Sequence, residues 1–169
     1  MPISLSRRSV ALGLAAGAAL PCTALRAAST TVLAWRDLIP EGAQALPPAL
    51  QGLVEHDQSD LAAQQPVSSG VRTDWNGETV QISGFIIPLD YEGTGVTAFM
   101  LVPYVGACIH VPPPPANQLI FVTTEDPYEA DGLFEAVTVT GMFGTAATST
   151  QLADVGYALS ADRVEPYRR

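Results

Sequence analysis

The chain predicts a mainly β protein: a small five-stranded barrel with a short N-terminal helical arm. Three observations carry that prediction. From Val71 onward, apolar residues recur in short runs with period two, as half-buried strands require. The runs are separated by short turns, and Gly84, Gly106 and Gly141 fall where a closed sheet has to bend. Once a leader is set aside, about 140 residues remain, enough for one domain with a true core.

The leader is residues 1–28. Ser6-Arg7-Arg8 supplies paired arginines, and an apolar run from Val10 to Leu20 leads into Pro21 and small residues. This is the pattern of a cleaved export signal, with the arginine pair pointing to the twin-arginine route. The run falls short of the roughly 20 apolar residues that a membrane span needs. Cys22 belongs to the discarded segment on this reading. The expected location is the periplasm, with no part of the mature chain inserted in the membrane.

Residues 29–70 form the arm. Trp35-Arg36-Asp37-Leu38-Ile39 is an apolar patch closed by Pro40, and Pro47-Pro48 opens a short helix over 49–55, with Leu50, Leu53 and Val54 on one face. Gln58 to Gly70 is polar and reads as a loop. The barrel occupies 71–169. Asn76-Gly77 is a strong turn pair. Thr79 to Gly84 alternates polar with apolar, and Phe85-Ile86-Ile87 is apolar on both faces. Pro88 is expected to end clean pairing, and 90–95 to turn. Strands follow at 96–102, 118–123, 135–143 and 154–164, the last with Val155, Tyr157 and Leu159 on one face. Five such strands fit an oligonucleotide/oligosaccharide-type (OB-like) barrel, with a small open β-sandwich as the alternative.

Composition restricts function more than fold does. The full chain carries a net charge of −9. Losing 1–28 removes Arg7, Arg8 and Arg26, which leaves five basic residues against 17 acidic ones and a net charge of −12, with no lysine anywhere. Nucleic acid is excluded as a partner, because phosphate binding needs cationic side chains to release counterions. An anionic membrane surface is disfavoured for the same reason.

The chemistry concentrates between the second and third barrel strands, in Val102-Pro103-Tyr104-Val105-Gly106-Ala107-Cys108-Ile109-His110-Val111-Pro112-Pro113-Pro114-Pro115. Cys108 is the single cysteine of the mature chain, so it must be buried, metal-bound, reactive or paired with another chain. In extended backbone Cys108 and His110 share a face. A thiolate and an imidazole suit zinc or copper(I), but a zinc site takes at least three protein ligands. His56, within Glu55-His56-Asp57, is the candidate further ligand, beside Asp90, Glu92, Asp126, Glu129 or a second subunit. Two other readings stay open: a buried structural cysteine with a hydrogen-bonded histidine, and a thiol nucleophile or redox centre at Cys108. Pro112, Pro113, Pro114 and Pro115 impose polyproline geometry and read either as a rigid crossover or as a docking rib. Tyr104 and Gly106 brace the entry to this element, and Asn117 can satisfy free backbone groups after it.

Gly84-Phe85-Ile86-Ile87-Pro88-Leu89 together with Phe99 to Gln118, including Tyr104-Val105-Gly106-Ala107-Cys108-Ile109-His110-Val111 and the four prolines, resembles a bacterial exported family, domain-of-unknown-function family 3299. The resemblance implies a periplasmic accessory of a zinc-linked ABC transport system. Some members are encoded beside transporters of the macrolide-exporter type and a histidine-rich periplasmic protein, and the implied partners are membrane transporter subunits. Cys108 and His110 would be its signature site. No histidine-rich tract occurs in this chain, so bulk metal storage is not expected. The rival expectation is a metal-free interaction module that docks a transporter.

Overall fold

A computed structural model describes residues 29–42, 65–107 and 113–168. The order of elements is β1 (Thr31–Val32), a 3-10 turn (Trp35–Leu38), β2 (Thr79–Glu92), β3 (Gly95–Val102), a second 3-10 turn (Ala116–Gln118), β4 (Ile120–Tyr128), β5 (Ala136–Ser149) and β6 (Asp154–Pro166). β2 to β6 form a closed five-stranded barrel in the circular order β2-β3-β4-β6-β5, with β5 returning to β2. All contacts around the ring are antiparallel except β4–β6, which is parallel.

Closure depends on β2 serving two neighbours. Its first half, Thr79 to Phe85, pairs with β5, and its second half, Phe85 to Glu92, pairs with β3. Pro88 does not end the strand as the sequence suggested. It pairs opposite Phe99 just before a register shift, so the missing donor falls at a bulge where β2 bends. β5 also runs further than its alternation indicated, to Ser149, past irregularities after Thr140 and Thr145. At the first of these, a side chain on Gly141 would collide with the Ser160 carbonyl and lie 2.7 Å from Ala161 Cα, so only glycine lets β5 and β6 approach so closely.

Alternation assigns each strand two faces. Val80, Ile82 and Ile86 of β2, Phe99 and Leu101 of β3, and Ile120 and Val122 of β4 point into the barrel, and all are buried. The intervening Ile87, Met100, Val102 and Leu119 are also buried, in a second apolar cluster outside the wall with Ala107, Ala153 and Val155. A half-solvated sheet would alternate with polar residues here. The double-sided hydrophobicity of Phe85-Ile86-Ile87 thus reflects two cores sharing one wall.

No α-helix occurs among the described residues, so the helical arm takes a different form. Its predicted helix over 49–55 lies outside them. The described stretch 29–42 of the arm closes one end of the barrel. β1 runs parallel to β2, opposite Val80 and Gln81, and Leu33 and Leu38 enter the barrel core. The Trp35 indole N–H donates to the Ser83 carbonyl at 2.8 Å, and its ring rests over Gly84, where a side chain would sit 2.9 Å from it. Tyr157 Oη, fully buried, donates to the Leu38 carbonyl and accepts from the Arg72 N–H, both at 2.7 Å. The Arg72 guanidinium reaches the Asp37 carbonyl at 3.2 Å and covers the Trp75 ring at 4.7 Å. One strand, one 3-10 turn and one distant loop are thereby tied into a plug.

Candidate functional site

The connection from β3 to β4 holds the candidate site. Of the residues singled out in the sequence, Tyr104, Gly106, Pro113, Pro114, Pro115 and Asn117 lie in the described structure. Cys108, His110, Pro112 and His56 lie outside the described residues. What the structure establishes is the frame from which Cys108 and His110 are carried.

On the entry side the frame is apolar. β3 ends at Val102 in the outer cluster, and Tyr104, half-buried, packs against the same cluster. Gly106 has φ +91°, in the left-handed region that favours glycine. Val105 beside it is 60% exposed, whereas Ala107 is buried among Val102, Leu119 and their neighbours.

On the exit side the frame is polar in its fastenings. Pro113 and Pro114 are buried and Pro115 is half-buried, so the described part of the proline run lies against the protein body. The Pro114 carbonyl accepts from Gln65 Nε2 at 2.9 Å. Asn117, 3% exposed, donates to the Gly70 carbonyl at 2.9 Å and to Ser69 Oγ at 3.0 Å. Gln118 Nε2 donates to the carbonyl of Trp35 at 2.9 Å, which joins the connection to the plug. Proline cannot donate from its own backbone, so amides brought from elsewhere bind the carbonyls that it still offers.

The sequence carried no signal for the fastening roles of Gln65, Asn76 and Gln118. Each is an ordinary polar residue in a turn-rich stretch, and each finds its partner dozens of positions away. Gln65 reaches Pro114 and Asp154, and Asn76 reaches Thr145. Among the described residues no group of three or more His, Cys, Asp or Glu side chains is close enough to hold a metal ion. The acidic residues at the far end of the barrel, Asp90, Glu92, Asp126 and Glu129, form no such cluster.

Comparison with known proteins places this geometry in a family. The profile described as "Protein of unknown function (DUF3299)" matches residues 35–166. The crystal structure of a DUF3299 family protein from Pseudomonas aeruginosa PAO1 superposes with a TM-score of 0.74 at 37% sequence identity, covering 83% of this chain and 98% of that one. No curated protein matches the chain. The matched span takes in the Trp35 plug, the β3–β4 connection and the barrel through Pro166.

Proposed function

This chain belongs to the DUF3299 family, and on that premise we propose that it is an exported, periplasmic accessory protein that binds a transition metal, zinc foremost, through Cys108 and His110. The observation that carries the reading is the anchored β3–β4 connection. Cys108 and His110 fall in a five-residue span between Ala107, buried in the outer apolar cluster, and Pro113, buried at the head of the fastened proline run. A frame fixed at both ends lowers the entropy lost when two ligands converge on one ion. The donor set fits the group: thiolate and neutral imidazole are the ligands zinc prefers. His56 is the candidate third ligand. On this reading the protein serves a zinc-linked ABC transport system. The strand order β2-β3-β4-β6-β5 with its parallel β4–β6 contact supports naming the barrel OB-like.

One observation favours the rival interaction module. Val105 presents an exposed apolar side chain in the same connection, suited to a transporter surface. Zinc titration of the reduced protein, with cobalt as a spectroscopic probe, separates the two. The metal reading expects thiolate-to-cobalt absorbance in the wild type and its loss in both Cys108→Ala and His110→Ala. Equal zinc content in all three proteins eliminates the metal reading.

A further inference from the structure

From Ala136 to Ala153 the chain has no charged residue and no proline. This stretch contains all of β5. The β5–β6 hairpin also outruns the barrel. Pairing of β5 with β2 ends at Met142, and pairing of β4 with β6 begins at Tyr157, yet β5 and β6 stay paired out to Ser149 and Asp154. Its flank is open: a groove of about 570 Å³ runs between Ser68–Val71 and Ala146–Ser149. A projecting hairpin whose β5 strand carries no charge is a template for pairing with another strand.

Each edge is closed by one side-chain carboxamide. On the β5 edge, the turn before β2 continues the ladder through backbone bonds between Gly77 and Phe143 and between Phe143 and Glu78. Asn76 then accepts from the Thr145 N–H at 2.9 Å and donates to Thr145 Oγ1 at 3.1 Å. On the β6 edge, Gln65 accepts from the Asp154 N–H and donates to the Asp154 carbonyl, both at 2.8 Å. A carboxamide offers one acceptor and two donors in a plane, so it can occupy the position a neighbouring strand's peptide group would take.

We propose that Asn76 and Gln65 are edge locks that keep this chain from pairing with a second copy of itself along the β5–β6 hairpin. The partner is a second copy because the hairpin supplies its own complement: two uncharged β5 edges can pair antiparallel without burying a charge. The proposal is independent of the metal reading.

Amide hydrogen exchange and sedimentation velocity test it together on the full chain. In Asn76→Ala the Thr145 amide, and in Gln65→Ala the Asp154 amide, should exchange about ten-fold faster or more, as expected for a lost hydrogen bond, with the barrel strands unchanged. The Asn76→Ala/Gln65→Ala protein should self-associate at concentrations where the wild type stays monomeric. Asn76→Asp keeps the acceptor for Thr145 and adds a charge at the edge, so it should remain monomeric. If the double variant does not fold, Asn76→Ala alone must associate more strongly than wild type and Asn76→Asp must not. Unchanged exchange at Thr145 and Asp154, a folded and strictly monomeric double variant, or a wild type that associates as strongly as the variants would each overturn the proposal.

Discussion

The two ends of the barrel are built on opposite principles. At the plugged end, Leu33 and Leu38 fill the opening, and Tyr157, Arg72, Trp35, Asn117 and Gln118 bond backbone groups of distant segments. At the other end, the β2–β3 turn and the β4–β5 connection bring Asp90, Glu92, Glu125, Asp126, Glu129 and Asp131 to the surface. None of these six joins the three ion pairs found among the described residues. The plugged end is held by burial and by hydrogen bonds that a missing partner would leave unmade in the interior. At the acidic end these carboxylates are exposed, and the bond from Thr94 to Glu129 lies at the surface. One end is therefore costly to alter and the other cheap.

The largest expected effect is Leu38→Ala, which removes a fully buried side chain from the plug and should cost about 2–5 kcal/mol. Equilibrium urea unfolding measures it, and a cost comparable to a surface change would erase the contrast. Tyr157→Phe comes next. It strips the Leu38 carbonyl of a donor and the Arg72 N–H of an acceptor while leaving the ring stacked on Phe143, at an expected cost of about 1–3 kcal/mol.

Alkaline titration sharpens the comparison, because each end holds one perturbed phenol. Burial first, partly offset by the bond from the Arg72 N–H, raises Tyr157 above the ordinary value of 10.0. Burial and then the hydrogen bond to Glu135 raise Tyr128. A phenol with a higher pKa in the folded state stabilises the fold fully below the unfolded value, and this contribution is lost as pH rises through the folded one. The melting temperature should hold up to about pH 10 and fall above it. Tyr128→Phe should flatten that fall more than Tyr157→Phe, since burial and the Glu135 carboxylate raise Tyr128 together, whereas the bond from the Arg72 N–H offsets part of the burial at Tyr157.

The smallest effect belongs to the acidic end. Thr94→Ala removes an exposed 2.9 Å bond to Glu129 and should change stability by no more than about 0.5 kcal/mol. Moderate salt should raise the stability of wild type and variant alike by screening repulsion among the carboxylates. A large loss in Thr94→Ala would mean that this end, too, is held by specific contacts.

Much of the architecture was legible before any coordinates. Asn76-Gly77 turns where expected, and Thr79 to Ile87 and Val96 to Val102 are strands because alternation survives in any environment. Pro88 misled because proline is tolerated at a bulge, and a bulge leaves no mark in a single sequence. The end of β5 was missed because Gly144 to Ser149 is small and weakly patterned; β6, not propensity, holds it in the sheet. For the candidate site, Gly106 and Asn117 were readable from their own chemistry. Gln65, which fastens the proline run, was not, because a glutamine in a polar loop announces nothing about a carbonyl 49 positions away.

The sequence alone determined the number of barrel strands, the two-sided wall at Phe85-Ile86-Ile87, the excess of negative charge and the association of Cys108 with His110 and four prolines. These are local properties, carried by each residue whatever surrounds it. Only the tertiary structure decided which strand meets which, that Trp35 to Leu38 becomes a plug, and that single carboxamides close the edges of the hairpin. Those outcomes depend on contacts between residues far apart in the chain, and such contacts exist only once the loops have closed and the barrel has formed.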